Sequence, residues 1–244
     1  MASALKKILT YPRNLFRTLP DKTAVFVVCT MRSGSTLLKA LLATAPDVSH
    51  LPEVNFQEFS SFKQIKKLSN KKIIVLKRPA IYKEVETYPI IPNVENRKII
   101  FLTRDVFETV HSLLDMNKKT NNTDTSWTAE RLATNYWASV YEGILSKMNG
   151  TSDVIQIKYE DLVGEPVKHT ERLFSFIGST KKTGTDTYSK PKKYEWRWYL
   201  DDGGEKIKSL KVQANEPVVV SEEFREFVET NDRIQDIRKT LGYA

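Results

Sequence analysis

Four short runs along the chain are apolar almost throughout: Ala24 to Cys29, Lys72 to Leu76, Lys98 to Leu102 and Asp153 to Ile157. Each is rich in Val and Ile, the signature of a strand covered on both faces rather than one. Between them the apolar positions recur at helical spacing. Leu37, Leu38, Leu41 and Leu42 form one stripe; Val106, Val110, Leu113 and Leu114 a second; Leu132, Tyr136, Val140 and Ile144 a third. Strand alternating with helix predicts a three-layer α/β domain, P-loop-like, with a central parallel sheet flanked by helices. No repeat, low-complexity tract or Pro/Gly/Ser linker divides the chain. Residues 1–244 are therefore expected to form a single domain, with 1–22 packed on it as an N-terminal extension and 180–215 as a loop region that closes over a ligand. In such sheets ligands bind beyond the carboxyl ends of the strands, which directs attention to the loops after the four runs.

Composition narrows the chemistry. Among 244 residues, 38 Lys and Arg stand against 30 Asp and Glu, a net charge of +8 that favours anionic partners. One cysteine excludes a disulfide framework and a Cys-rich zinc module. Lys6, Lys7, Arg13 and Arg17 interrupt the apolar residues at the start, and no run approaches the ~18 apolar residues of a membrane span. A cytoplasmic protein without membrane association is expected.

The run from Cys29 to Leu38 joins the first strand to an apolar-striped helix through hydroxylated residues and one glycine. That is the composition of an anion cradle, in which backbone N–H groups and the positive end of the helix dipole face the ligand, and the hydroxyls of Ser33, Ser35 and Thr36 add donors. It is not a Walker A loop, which would need Gly at 29 and Lys at 35, where Cys29 and Ser35 stand; the cation comes early, as Arg32. The third strand ends at Thr103-Arg104, and Ser112 lies eight residues beyond that arginine, about two helical turns. Arg104 and Ser112 together can grip a further phosphate by charge-assisted hydrogen bonds. Two grips imply a nucleotide phosphorylated at two positions.

These motifs, RSGSTLL (Arg32 to Leu38) and TRDVFETVHS (Thr103 to Ser112), followed by KYEDLV (Lys158 to Val163), resemble those of sulfotransferases that use 3′-phosphoadenosine 5′-phosphosulfate (PAPS). The closing Leu241-Gly242-Tyr243 also resembles the end of bacterial members. The resemblance implies a 5′-phosphosulfate loop at Arg32, Ser33, Gly34, Ser35, Thr36 and Leu37. It further implies a 3′-phosphate site at Arg104 and Ser112, and Tyr159 near the adenine or the 3′-phosphate. Arginine at the loop position is most similar in pattern to the tyrosylprotein sulfotransferases and a related bacterial group. By that likeness Glu53, 21 residues past Arg32, is the catalytic base. Lys77 acts on the transferring group and Arg32 on the leaving 5′-phosphate, with no metal required. His50 is a substitute base, and Glu53 has a structural alternative as a loop carboxylate paired with Lys77 or Arg78. His111 reads as a packed helical histidine and Cys29 as a buried strand residue.

Two departures stand out. The Arg-Lys-Gly loop of the cytosolic enzymes is missing, leaving Lys190, Lys192 and Lys193, or Lys206 to Lys211, to close over the 3′-phosphate; and Met116 stands where tyrosylprotein enzymes carry a second arginine. The acceptor is expected to be a small molecule, not nucleic acid, offering a hydroxyl or amine between walls made of Phe56, Phe59, Phe62, Trp127, Tyr136 and Trp137, with Tyr136 and Trp137 alternatively core. The competing readings are a P-loop-type kinase acting on a small molecule and a protein-tyrosine sulfotransferase. Oligomeric state is not legible.

Overall fold

The computed structural model describes residues 21–120, 127–194, 205–214 and 216–243. Four strands, β1 (Thr23–Thr30), β2 (Ile73–Ala80), β3 (Arg97–Thr103) and β4 (Val154–Lys158), form one sheet in the order β2-β1-β3-β4, parallel at every junction. Alternation along β1 divides the core. Ala24, Phe26 and Val28 face one apolar cluster and Val25, Val27 and Cys29 the other, all fully buried. The first cluster is covered by α3 (Val106–Lys119), α5 (Ser139–Met148), α9 (Glu222–Thr230) and α10 (Asp232–Leu241). The second is covered by α1 (Ser35–Leu42), α6 (Tyr159–Gly164) and α7 (Pro166–Phe176). This is the three-layer arrangement that the uninterrupted apolar strands require. Shorter helices α2 (Phe62–Lys66), α4 (Ala129–Arg131) and α8 (Glu205–Lys208) complete the set, and a π-helical stretch, Leu132–Ala138, joins α4 to α5.

β2 runs four residues beyond the expected Leu76, so Lys77 and Arg78 are strand residues and not part of the following loop. The apolar pattern stops at Leu76 because these side chains pair with acids, Lys77 with Glu53 and Arg78 with Glu53 and Glu84. Three buried tyrosines hold the carboxyl ends of the strands. The Tyr88 hydroxyl accepts from Cys29 N–H at 3.0 Å and donates to the Arg78 carbonyl at 2.6 Å, bridging β1 and β2. Tyr136 accepts from Met31 N–H at 2.6 Å and donates to the Ala80 carbonyl at 2.7 Å. Tyr141 accepts from Arg104 N–H at 2.9 Å and meets the Thr30 hydroxyl at 3.3 Å, linking β1 to the end of β3. Burial raises the phenol pKa of all three, so each stays protonated and able to donate.

Of the expected N-terminal extension, residues 1–20 lie outside the described residues; Lys22 is buried and donates to the carbonyls of Lys66, at 3.0 Å, and Ser69, at 2.6 Å. Residues 195–204 and 215 of the expected closing region, and residues 121–126, likewise lie outside. Among the described residues no helix is long and apolar enough to cross a membrane.

Candidate active site

The loop between β1 and α1 turns through two left-handed residues, Arg32 (φ 63°) and Gly34 (φ 85°). Glycine at 34 is required twice over. The backbone is in the region that other residues avoid, and a Cβ there would lie 2.2 Å from Cδ2 of Tyr159. Ser33 is fully buried and its hydroxyl turns back to donate to the Thr30 carbonyl at 2.7 Å. It therefore shapes the loop and does not line the cleft, unlike the role expected of it. Helix α1 begins at Gly34 without a side-chain cap and without an acid in its first turn, so its positive end is presented to the cleft.

The two expected phosphate grips touch. Arg32 Nε donates to the Ser112 hydroxyl at 3.0 Å, and Arg104 Nη1 donates to the Arg32 carbonyl at 2.6 Å. Arg104 also pairs with Glu108 at 2.7 Å and stacks over the Tyr159 ring at 4.3 Å. The Arg32 side chain is thus directed towards the second grip. Across the cleft Lys77, 2% exposed, places Nζ 2.8 Å from Glu53 Oε2 and 3.2 Å from the Thr36 hydroxyl. Arg78 lies 3.7 Å from Glu53 Oε1 and 2.7 Å from Glu84. The pairing of Glu53 with Lys77 and Arg78 is therefore present, and its side chain keeps 23% exposure. Burying a lysine is tolerable only with such partners.

Most of these groups line one cleft of about 740 Å³; Ser33, Arg78 and Glu84 do not. Of the residues singled out by motif, Arg32, Gly34, Ser35, Thr36, Leu37, Glu53, Lys77, Arg104, Ser112 and Tyr159 line it. His111 does too and is exposed, contrary to its reading as a packed histidine; it lies beside Ser112 on the cleft face of α3. His50 sits elsewhere, its ring 5.7 Å from that of Tyr194. The far wall comes from Tyr188, from Lys206, Ile207 and Lys211 to Gln213, and from residues 216–219. Of the lysines proposed for closure, Lys206 and Lys211 line the cleft and Lys190, Lys192 and Lys193 do not.

The aromatic acceptor walls are not there. Phe56 is in the core, edge-on to Phe26 at 5.3 Å; Phe59, Phe62 and Trp127 pack partly buried on the same core, and Tyr136 and Trp137 are fully buried. Helical spacing cannot distinguish a cleft wall from a core stripe, and here burial of large rings prevailed. The apolar lining is instead Met31, Leu37, Pro79, Ile81, Met116, Ile207 and Val212 with 217–219. Trp137 still serves the site, donating Nε1–H to the Arg104 carbonyl at 2.9 Å. Cys29 is buried, and burial pushes its thiol up to about 11, as a structural cysteine requires. Among the described residues no cluster of His, Cys, Asp and Glu could hold a metal ion.

The sequence profile of the sulfotransferase domain matches residues 22–198. No curated protein matches the chain. The sulfotransferase domain of the curacin biosynthetic pathway superposes with a TM-score of 0.62 at 17% identity, covering 92% of this chain and 99% of that one. A sulfotransferase from Alicyclobacillus acidocaldarius gives a TM-score of 0.49 at 13% identity, over 89% of this chain and 95% of that one. Mouse sulfotransferase SULT7A1, solved with PAP, gives 0.49 at 18% identity, over 64% of this chain and 58% of that one. With the profile spanning most of the chain and the fold in agreement, this protein belongs to the sulfotransferase domain family.

Proposed function

We propose that the protein transfers a sulfuryl group from PAPS to a hydroxyl or amine of a small-molecule acceptor. The observation that carries this reading is the convergence in one cleft of the open N-terminus of α1, the Arg32–Ser112 and Arg104–Tyr159 grips, and the Lys77–Glu53 pair. The donor set fits the nucleotide: cations and helix N–H groups on one side, a tyrosine face beside Arg104, and a volume suited to a nucleotide with a small acceptor. Bound PAPS supplies a sulfuryl group on a 5′-phosphate leaving group. The first turn of α1 and Arg32 stabilise charge growing on that phosphate, and Arg104 with Ser112 hold the 3′-phosphate. Lys77, already bonded to the Thr36 hydroxyl beside the loop, is placed to neutralise the sulfuryl oxygens. Glu53 accepts the acceptor's proton as the new S–O or S–N bond forms and the bond to the phosphate oxygen breaks. A transferring group of low charge needs only fixed protein cations, so positioning and electrostatics carry the chemistry. Lys206 and Lys211, on the far wall, are the residues of the 180–215 region that close over the nucleotide.

Binding and turnover separate these roles. Glu53→Gln should lower transfer at least ~100-fold, the contribution of a general base, while PAP binding stays near wild type. Arg104→Ala should weaken PAP binding itself. Normal turnover by Glu53→Gln would remove the base assignment, and phosphoryl transfer from ATP and Mg²⁺ without PAP binding would replace the whole reading with a kinase. A panel of small alcohols, phenols and amines against a tyrosine-containing peptide decides the acceptor class.

A further inference from the structure

The last residues of the described chain reach back to the site. Helix α10 ends at Gly242 in the left-handed conformation (φ 81°), and Tyr243 N–H closes the turn on the Arg238 carbonyl at 2.8 Å. This folds the Tyr243 ring across the ends of β3 and β4, where Thr103 and Lys158 are register partners. The Tyr243 hydroxyl donates to Glu160 Oε2 at 2.9 Å. Its one proton spent there, it accepts from the Thr103 hydroxyl at 3.0 Å. Lys158 Nζ lies 4.8 Å from the centre of the same ring and donates to the Gly242 carbonyl. Glu160 Oε1 accepts from Asp105 N–H at 3.0 Å, and Arg238 pairs with the Asp105 carboxylate at 3.2 Å while donating to the Tyr243 carbonyl at 3.2 Å.

These bonds form a closed circuit whose members bracket the second grip. Thr103 and Asp105 flank Arg104; Lys158 and Glu160 flank Tyr159; and Arg104 and Tyr159 are the stacked pair. We infer that Tyr243 is a positioning residue that sets the Arg104–Tyr159 pair for the 3′-phosphate from the far end of the chain. This rests on reading Arg104 as the 3′-phosphate grip. The segments carrying Arg104 and Tyr159 already share strand-end register and the Asp105–Glu160 bond, and the phenol oxygen adds a second tie, from Glu160 to Thr103. Burial and the neighbouring Glu160 carboxylate hold the phenol protonated, so the tie persists throughout the neutral range.

Calorimetric titration of the full chain with PAP and with adenosine 5′-monophosphate, which lacks the 3′-phosphate, tests it. Tyr243→Phe, which removes one oxygen, is expected to weaken PAP about tenfold and adenosine 5′-monophosphate by less than about twofold. Equal weakening of both nucleotides would show a general loosening and overturn the inference. Should Tyr243→Phe fail to fold, Thr103→Val breaks the same circuit from the strand side and is expected to change the ratio in the same direction. Wild-type PAP affinity in a folded variant, whatever its melting temperature, would overturn the inference. A wild-type protein that binds PAP no more tightly than adenosine 5′-monophosphate would overturn the reading of the grip, and the inference with it.

Discussion

At Gly34 the loop's conformation, the start of α1 and the placement of Tyr159 all depend on a missing side chain. Gly34→Ala must strain a left-handed backbone and displace the ring on which Arg104 stacks. The expected cost is roughly 2 kcal/mol or more of stability, read by urea denaturation, together with weaker PAP binding. A variant with unaltered midpoint would mean that Tyr159 moves freely. Arg32, the other left-handed residue of the loop, lacks this excuse of size; the bond from Arg104 to its carbonyl and its own bond to Ser112 hold it there. Strand-end position and spacing singled out Arg32, Arg104 and Ser112, and the resemblance to the sulfotransferases added Glu53 and Lys77. Neither could show that Ser33 turns inward, since all three loop hydroxyls look equally exposed on paper.

At the scale of elements, the π-helical stretch carries two of the side chains that fix the strand ends. Its consecutive residues Tyr136 and Trp137 reach two different strand ends, Ala80 at the end of β2 and Arg104 beyond β3. The Thr134 carbonyl within it accepts from Arg233 at 3.1 Å and from the Ser139 hydroxyl at 3.2 Å. Tyr136→Phe would leave the Met31 N–H and the Ala80 carbonyl buried without that partner, costing about 1–3 kcal/mol. Thermal denaturation would show the loss, and the displaced Met31 next to Arg32 should also weaken PAP binding. The strands themselves were legible because both faces are covered, so their apolar runs are uninterrupted. The end of β2 was not, since Lys77 and Arg78 look like a loop until their acidic partners are seen. Of the far wall, Lys206 and Lys211 were among the residues expected to close over the ligand, whereas 216–219 carry no periodicity to read.

For the whole molecule, the net charge of +8 divides into a converging set and a dispersed remainder. Arg32, Lys77 and Arg104 meet in the cleft, whereas Lys63, Lys67, Lys71 and Lys72 are solvated on the surface. PAP affinity should accordingly fall about tenfold between about 0.05 and about 0.5 M NaCl, and that of adenosine 5′-monophosphate less, because screening acts in proportion to the charge bound. Equal salt dependence for the two nucleotides would argue that the dispersed lysines, not the cleft, attract the ligand. Beneath the cleft lie the three phenols of Tyr88, Tyr136 and Tyr141, each accepting from one strand-end group. Their oxygens satisfy buried polar groups, a task that buried water can also perform, but they are tethered by a covalent chain and cannot exchange with bulk solvent. The strand ends below the cleft are in this sense bonded from within by the protein's own side chains, and binding or release of a nucleotide leaves those bonds in place.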